Sequence, residues 1–233
     1  MRLNKFLSDA GYCSRREADR LTEAGQVTVN GQRASVGMQI EEGDEVLVRG
    51  KRIVPEDQKV YLAFHKPRGI VCTAEKREKN NIIDYISYPI RIYPVGRLDK
   101  DSEGLILLTN DGEIVNGIMR ARNGHEKEYE VEVDHPITGD FLKKMAEGVP
   151  ILDTVTRPCR IRKTSRCGFS IVLTQGLNRQ IRRMCEALGY RVCTLRRVRI
   201  MNITLGDLKV GTYRNLNQEE LAELKWAIRG KEQ

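Results

Sequence analysis

Residues 126–134 alternate strictly between acidic side chains at the even positions and Lys127, Tyr129, Val131 or Val133 at the odd positions. Tyr129, Val131 and Val133 fall on one face of an extended segment, and acidic residues fall on the other. Because side chains of a strand alternate with a period of two, the pattern predicts a half-buried strand that carries a tyrosine inward. Such a strand has one packed face and one polar face.

Further strands are predicted at 60–64 and 169–173, and loop 174–180 opens a predicted helix over 181–188 that ends at Gly189. Strands and helices in this irregular order indicate the α+β class, with a mixed, largely antiparallel sheet flanked by helices.

The first 57 residues have the signals of a small separate module. The spacing predicts a helix over 2–12, a second helix over 15–24 and a hairpin over 27–33. Ser14 followed by Glu17 predicts a reciprocal capping box, and Asn30-Gly31 predicts a type I′ turn. The polar segment 55–59 reads as a linker. We therefore expect two domains, 1–57 and 58–233.

The positive charge of the chain is concentrated in one segment. Residues 157–199 carry 12 basic side chains against the single acid Glu186, a net charge of +11, whereas the whole chain has a net charge of +8. Such a concentration is typical of a site for a polyanion such as nucleic acid. A generally basic solvated face is the alternative, but it would spread the charge more evenly.

Several functional classes are not indicated. The six cysteines form no C-x-x-C pair and the three histidines lack metal-ligand spacing, so neither zinc nor a disulfide framework is expected. A G-x-G-x-x-G loop and a P-loop are absent, which argues against a methyltransferase or nucleotide cofactor. No apolar run could span a bilayer and no leader precedes the chain, so we expect a cytoplasmic monomer without a membrane segment or cofactor.

The segment from Gly96 to Gly112 contains a carboxylate, Asp99, between Arg97 and a turn of small residues, followed by an apolar run. A carboxylate held beside a guanidinium group can act as a nucleophile or as a base. Asp99 is therefore the first candidate for chemistry. The alternative for so short a pattern is a structural ion pair before a buried strand.

The N-terminal module resembles the S4 RNA-binding domain in Arg2-Leu3-Asn4-Lys5-Phe6, in Cys13 to Ala18 and in Val27 to Arg33. The resemblance implies that the second helix and the hairpin contact structured RNA. The alternative is a small packing domain with ordinary surface arginines. Side chains expected to contact RNA are Arg2, Lys5, Ser14, Arg15, Arg16, Arg20 and Asn30.

Three later motifs follow in order, Lys66-Pro67-x-Gly69, Gly96-Arg97-Leu98-Asp99 and Arg179-Gln180-Ile181-Arg182-Arg183-Met184. With the S4-like module they resemble the RsuA/RluB/E/F group of bacterial pseudouridine synthases, and within it the F type, which implies an isomerase that modifies 23S ribosomal RNA without a cofactor. The likeness implies RNA contacts at Arg179, Gln180 and Arg183, and at Lys66 either an RNA contact or a role in orienting the loop. The sequence departs from the common pattern at Gln175 and Arg179, and neither change is expected to touch a catalytic residue.

The same resemblance implies roles in catalysis. Asp99 is the expected nucleophile or base, attacking C1′ or C6 or removing the 2′ proton, and the sequence leaves these routes open. Arg182 is expected to pair with Asp99 through a charge-assisted hydrogen bond, or else to contact a phosphate. Tyr129 is expected to stack on the uracil near the C5 proton, and Ile181 to exclude water. Arg97 either fills the gap left by a flipped base or holds the Asp99 loop shut.

Other readings are an S4-containing ribosome-assembly factor that binds RNA without catalysis, and the same chemistry on 16S ribosomal RNA or transfer RNA. The assembly factor explains the charge and the first module, but it does not explain the three ordered motifs.

Overall fold

The computed structural model describes residues 1–75, 77–119 and 124–230 and divides the chain into two compact units. The first unit comprises Met1–Val60 with residues 88–92 and 110–112, and the second comprises the remainder. The chain thus passes between units at Val60, three residues beyond the boundary expected from sequence, and two short segments join the first unit from far along the chain. No helix in the described ranges is long and apolar enough to cross a membrane.

The first unit packs two helices on a small sheet with the strand order β2-β1-β3-β4. Its elements are α1 (Leu3–Asp9), α2 (Arg15–Glu23), β1 (Val27–Val29), β2 (Gln32–Arg33), β3 (Val46–Val48) and β4 (Lys51–Arg52). Its core joins the apolar sides of both helices to β1 and β3, with Leu7, Ala18, Val27 and Val48 fully buried.

Local signals in this unit are confirmed with one correction. Asn30 and Gly31 have φ of 50° and 77°, the left-handed pair that a type I′ turn requires. The Ser14 hydroxyl accepts a hydrogen bond from the Glu17 backbone N–H at 3.2 Å, as predicted. The Glu17 carboxylate, however, accepts from Arg20 Nη1 at 3.0 Å. This ion pair, one turn along the helix, replaces the second bond of the predicted capping box, in which Glu17 would accept from the Ser14 N–H.

The second unit is built on a nine-stranded sheet and also contains a separate two-stranded ribbon. Its strands are β5 (Tyr61–Lys66), β6 (Tyr93–Pro94), β7 (Glu103–Thr109), β8 (Lys127–Val133), β9 (Pro150–Ile151), β10 (Thr154–Val155), β11 (Arg160–Lys163), β12 (Gly168–Leu173), β13 (Val192–Ile200), β14 (Ile203–Thr204) and β15 (Tyr213–Asn215). The main order is β11-β12-β8-β13-β7-β5-β15, with β14 on β13 and β6 on β7, and the ribbon pairs β9 with β10. Only the β13–β7 pair is parallel, which confirms a mixed, largely antiparallel sheet.

In the part of this unit that the structure describes there are five helices, and two apolar cores hold four of them to the sheet. The helices are α3 (Ile82–Ile86), α4 (Gly112–Met119), α5 (Gly139–Glu147), α6 (Gln180–Ala187) and α7 (Gln218–Arg229). One core packs α5 and α6 against β8 and β12, and the other packs α4 and α7 against β5, β7 and the end of β13. The inward face predicted for β8 is confirmed, since Val131 and Val133 are buried in the first core with Tyr129 against it.

The two halves of the large sheet meet where β7 runs parallel to β13 through the pairs Arg196–Glu103 and Arg197–Gly104. Gly104 has a φ of 114°, and a Cβ atom there would lie 2.3 Å from the backbone oxygen of Arg197. Real Cβ atoms do not approach backbone so closely. Glycine at this position is therefore what lets the two strands pair.

Acidic side chains on the polar face of β8 neutralise several arginines of the basic segment 157–199. Glu126 pairs with Arg160 and Arg199, Glu128 pairs with Arg199, and Glu130 pairs with Arg196. These glutamates lie in an earlier, acidic part of the chain, so a charge count along the sequence does not register the pairing. The expectation that the whole segment faces a polyanion needs correction, because the sheet itself neutralises several of its arginines.

Helix α7 begins with a complete capping box that is joined to a bidentate ion pair. The Asn217 side chain accepts from the Glu220 N–H at 2.8 Å, and the Glu220 carboxylate accepts from the Asn217 N–H at 3.0 Å. The same carboxylate takes both terminal nitrogens of Arg214 at 2.7 Å. The hydrogen bond from Arg214 holds the pKa of Glu220 below its ordinary value, although burial acts in the opposite direction.

Replacing Gly104 with alanine is expected to lower the free energy of unfolding by about 3 kcal/mol, because the added methyl group overlaps the β13 backbone and the positive φ is strained. Urea denaturation measures the change. Gly139→Ala is the matched control, since no atom lies within 4 Å of a Cβ at that position. Equal midpoints for the two variants would contradict the steric account.

Glu220→Gln is expected to lower the free energy of unfolding near pH 7 by about 2 kcal/mol through the lost charge-assisted bonds, a fall of roughly 4–8 °C in Tm. Because the folded pKa of Glu220 is depressed, its contribution is complete above the unfolded value of about 4.3 and is lost as pH falls through the folded pKa. The gap in Tm between wild type and variant should therefore narrow below about pH 4. Glu223→Gln, an exposed position on the same helix, should show no such gap.

Candidate active site

A cavity of about 350 Å³ opens in the second unit between the loop before β7, the strands β8 and β13, and the start of α6. Its lining includes all five residues that the sequence proposed for catalysis, namely Arg97, Asp99, Tyr129, Ile181 and Arg182. These residues come from three separate motifs up to 85 positions apart in the chain. The fold therefore brings together what the sequence presents as dispersed signals.

The loop that carries Asp99 is fixed by its backbone. Leu98 N–H donates to the Cys72 sulfur at 3.3 Å, and Gly69 N–H donates to the Lys100 carbonyl at 2.7 Å. Ser102 N–H closes the turn on the Asp99 carbonyl at 3.1 Å. Each bond holds a different part of the loop, so the Asp99 side chain is presented from a rigid base.

Lys66 holds the turn that supports the Asp99 loop, so of the two roles considered for it the structure fits loop orientation and argues against an RNA contact. Its side chain is fully buried, and its Nζ donates to the Pro67 and Ile70 carbonyls at 2.8 Å each. Burial lowers the pKa of Lys66, and the negative charges of neighbouring acids oppose that shift. The ammonium group fastens the turn that ends in Gly69, whose N–H in turn holds the Asp99 loop.

Arg182 approaches Asp99 but does not make the hydrogen bond that the sequence predicted. Its Nε lies 3.9 Å from Asp99 Oδ2, an ion-pair distance, and that buried Nε has no hydrogen-bond partner among the described residues. Its Nη2 instead donates to the Asp101 carbonyl at 3.1 Å and to the Ser102 hydroxyl at 3.3 Å. Burial lowers the pKa of Arg182. One guanidinium group thus clamps the loop and directs positive charge at Asp99.

Arg179 is the second cation beside Asp99, a contact that was not expected. Its Nη1 lies 3.6 Å from Asp99 Oδ2 and its Nη2 lies 3.2 Å from Asp101 Oδ2. Burial opposes ionisation of Asp101, but the hydrogen bond from Arg179 prevails and lowers the pKa of Asp101. Arg179 adopts a left-handed backbone with φ of 50°, which aims its side chain across the cavity mouth. The departure from the family pattern at this position therefore touches the candidate nucleophile.

The Asp99 carboxylate has charge partners but accepts no hydrogen bond from the described residues, and its side chain is 31% exposed. Its oxygen lone pairs are consequently available toward the cavity. Tyr129 lies partly buried against the core, and Ile181, 4% exposed, gives the cavity an apolar wall. The exposed Arg97 side chain reaches the cavity rim, a position that fits both roles considered for it.

Of the two further RNA contacts predicted near α6, the structure argues against Gln180, and Arg183 stays a prediction. Gln180 is 4% exposed and uses its side chain to hold the preceding loop, accepting from the Leu177 N–H at 3.0 Å and donating to Gln175 at 3.4 Å. Burial of this kind makes Gln180 a brace and not an RNA contact. Arg183 lies partly exposed and bonds to Asn178, so its guanidinium helps to close the loop at the helix start.

In the first unit, the side chains predicted to contact RNA fall into two groups. Arg2, Arg15 and Arg16 are exposed. The others already have protein partners: Lys5 pairs with Asp9, Arg20 pairs with Glu17, Ser14 caps α2, and the Asn30 side chain bonds to Asp44 and to Glu45 N–H.

Sequence reasoning missed two cations that line the cavity, Lys127 and Arg197. Strand alternation could have found both. Lys127 lies two residues before Tyr129 on the inward face of β8, and Arg197 lies two residues after the buried Leu195 on β13. Among residues 1–75, 77–119 and 124–230, no group of three or more possible ligands could hold a metal ion.

Comparisons with known proteins agree with this geometry. The S4 domain family matches residues 1–46, and the family described as RNA pseudouridylate synthase matches residues 60–187. The chain is 53% identical over 231 residues to the dual-specificity RNA pseudouridine synthase RluF of Salmonella typhi, covering 98% of this chain and 80% of that protein.

A more distant relative is the ribosomal large subunit pseudouridine synthase B of Bacillus subtilis, 33% identical over 96% of this chain and 95% of its own length. A crystal structure of a pseudouridylate synthase superposes with a TM-score of 0.71 and 28% identity, covering 96% of this chain and 99% of that one. The alternative of an RNA-binding assembly factor without catalysis is therefore wrong. With its S4 module, its mixed sheet and its Asp99 cavity, the chain belongs to the family of RNA pseudouridine synthases.

Proposed function

We propose that Asp99 performs the chemistry of this pseudouridine synthase and that the 350 Å³ cavity receives a flipped uridine. The observation that carries the proposal is the position of Asp99 Oδ2, 3.6 Å from Arg179 Nη1 and 3.9 Å from Arg182 Nε, at the wall of a cavity that also contains Tyr129. A uridine inside an RNA helix must leave the stack to reach such a site.

The reaction breaks the N1–C1′ bond, turns the base and rejoins it through C5. The Asp99 carboxylate can begin it by bonding to C1′, by adding to C6 or by taking the 2′ proton, and all three routes use the free lone pairs. Arg182 and Arg179 balance the charge of the Asp99 carboxylate before the reaction begins, and neither occupies its oxygens with a close hydrogen bond. Tyr129 supplies a flat face for the base and a hydroxyl for the C5 proton.

The remaining site residues act on water and on the RNA. Ile181 excludes water from the reacting centre, which strengthens electrostatic interactions inside the cavity. Arg97 lies at the rim, where it enters the gap left by the flipped base or keeps the Asp99 loop closed. Arg2, Arg15 and Arg16 of the S4 module contribute exposed positive charge for the RNA backbone.

The proposed substrate is 23S ribosomal RNA, with transfer RNA as a second substrate, bound by a monomer. The Salmonella relative is named a dual-specificity enzyme, and the Bacillus relative is named for the large ribosomal subunit. RNA of both kinds presents uridines in loops, where shape and splayed bases decide recognition.

Asp99→Asn is expected to abolish tritium release from C5-labelled uridine in 23S ribosomal RNA, because the amide can neither bond to carbon nor accept the proton. A loss of at least about 10³-fold is expected from removal of the reacting group. RNA affinity, measured by filter binding, should stay within about twofold. Asp140→Asn, an exposed acid on α5, is the control and should release tritium normally. Undiminished release by Asp99→Asn would remove Asp99 from the mechanism.

Pseudouridine mapping in RNA from cells with and without this protein tests the substrate. At least one position in 23S ribosomal RNA and one in transfer RNA should lose pseudouridine in the deletion, and the wild-type protein should restore both. Restoration by the Asp99→Asn variant is not expected. A deletion that changes 16S ribosomal RNA alone would contradict the proposed substrates.

A further inference from the structure

Arg197 is a buried cation with an unused donor. It is 3% exposed, its Nε donates to the Leu105 carbonyl at 2.7 Å, and its Nη1 lies 3.5 Å from the Arg97 carbonyl. Its Nη2 is buried and has no hydrogen-bond partner among the described residues. Leaving such a donor without an acceptor destabilises the folded protein, and more so when the donor belongs to a charged group. A buried donor of this kind at a cavity wall calls for an acceptor from outside the chain.

Lys127 is a second cation without a counter-ion. It lines the same cavity, and within residues 1–75, 77–119 and 124–230 its ammonium group has no hydrogen-bond or ion-pair partner. Burial lowers the pKa of Lys127, and the positive charge of Arg197 lowers it further. The two cations therefore repel each other in a partly desolvated place, and within the described residues neither of them forms an ion pair with a carboxylate.

The sheet places these two side chains around Tyr129. Lys127 precedes Tyr129 by two residues on β8, so both lie on the same face. Arg197 on β13 is the direct cross-strand partner of Tyr129. Directly opposed residues of an antiparallel pair have Cβ atoms about 5 Å apart on one face. Donors thus lie on two sides of the ring that is proposed to stack on the base.

The geometry points to Lys127 and Arg197 as donors to the carbonyl oxygens O2 and O4 of the target uracil, where they stabilise the negative charge that the base acquires during isomerisation. This inference rests on the proposed use of the Asp99 cavity. A phosphate group would also satisfy two cations. The cavity walls, however, include Tyr129, Ile181 and Leu98, and an aromatic ring with apolar neighbours suits a flat base better than a hydrated tetrahedral anion.

The chemistry explains why fixed cations belong there. When the N1–C1′ bond breaks, its electron pair stays with the base, which becomes an anion with charge on N1, O2 and O4. C1′ gains a bond to the carboxylate, or C2′ gives its proton to the carboxylate as the C1′–C2′ double bond forms. Addition of the carboxylate to C6 likewise sends an electron pair toward O4. The charge on the base is lost when C5 bonds to C1′ and the carboxylate leaves C1′ or C6, or, in the glycal route, when the carboxylic acid returns its proton to C2′ as C5 bonds to C1′. C5 then gives its proton to solvent while N1 takes one up, so neutral pseudouridine forms and the carboxylate is regenerated. Donors positioned at the charged oxygens before reaction are worth about 10²–10³-fold in rate each.

Lys127→Met tests the inference, because methionine keeps the length of the side chain and removes the charge. The single-turnover rate on the RNA fragment mapped above should fall about 10²–10³-fold, with RNA affinity within about twofold and an unchanged Tm. Nucleoside chromatography after digestion measures the conversion. Lys143→Met is the control, since Lys143 is exposed on α5 and lies outside the cavity.

A substitution in the substrate separates direct contact from a structural role. Sulfur in place of O2 or O4 at the target uridine is a weaker acceptor and should slow the wild-type enzyme. If Lys127 donates to one of these oxygens, sulfur at that oxygen should slow the Lys127→Met variant much less than the wild type. The Arg197→Met variant should likewise be slowed much less than the wild type by sulfur at the other oxygen. Because Arg197 also bonds to the Asp99 loop, the Tm of this variant is measured first.

The inference would be overturned if sulfur at either oxygen slowed the Lys127→Met variant by the same factor as the wild type. It would also be overturned if Lys127→Met converted the RNA at the same rate as Lys143→Met. The Asp99→Asn variant distinguishes this failure from failure of the proposed function. If Asp99→Asn is inactive while Lys127→Met is fully active, only the uracil contacts are wrong. If Asp99→Asn is active, the assignment of the cavity is wrong as well.

Discussion

The short parallel contact between β7 and β13 determines where the site can form. On one side of it lie β8, β12 and β11, and on the other lie β5 and β15. The Asp99 loop leads directly into β7, Tyr129 lies on β8, and Arg197 lies on β13 between them. A close backbone approach, possible because Gly104 has no side chain, thus sets the distance between the Asp99 loop and the strand that carries Tyr129.

Charge in this protein is sorted by the faces of the sheet. On the polar face, β8 glutamates pair with Arg160, Arg196 and Arg199, and such exposed pairs contribute little to stability individually. On the opposite face, around the cavity, Lys127 and Arg197 form no ion pair with a carboxylate of the described residues. The cations of the polar face are paired and support the sheet, whereas the two at the cavity are the ones that we propose contact the base.

Much of the architecture could be predicted from the sequence because its signals are local. The Ser14 cap, the Asn30-Gly31 turn and the alternation of β8 each depend on neighbours within a few residues. Pairing across the sheet could not be predicted in this way. The glutamates that neutralise Arg196 and Arg199 precede them by more than 60 positions, and the burial of Lys66 and Gln180 follows from packing that no local pattern encodes. Asp99, Arg182 and Tyr129 could be singled out through motif resemblance, whereas the actual contact distances required the fold.

The alternation of β8 has a consequence for how this protein can change over evolutionary time. Lys127 and Tyr129 point to the cavity, whereas Glu126, Glu128 and Glu130 point away from it and pair with arginines. Successive residues along the strand therefore contact different groups on opposite faces of the sheet. A one-residue insertion or deletion within the strand would exchange the two faces. It would line the base pocket with carboxylates, which repel an electron-rich ring, and leave the arginines of β13 facing a lysine and a tyrosine. Length changes near this strand are therefore tolerable only beyond its ends, where loops can absorb them without altering its register.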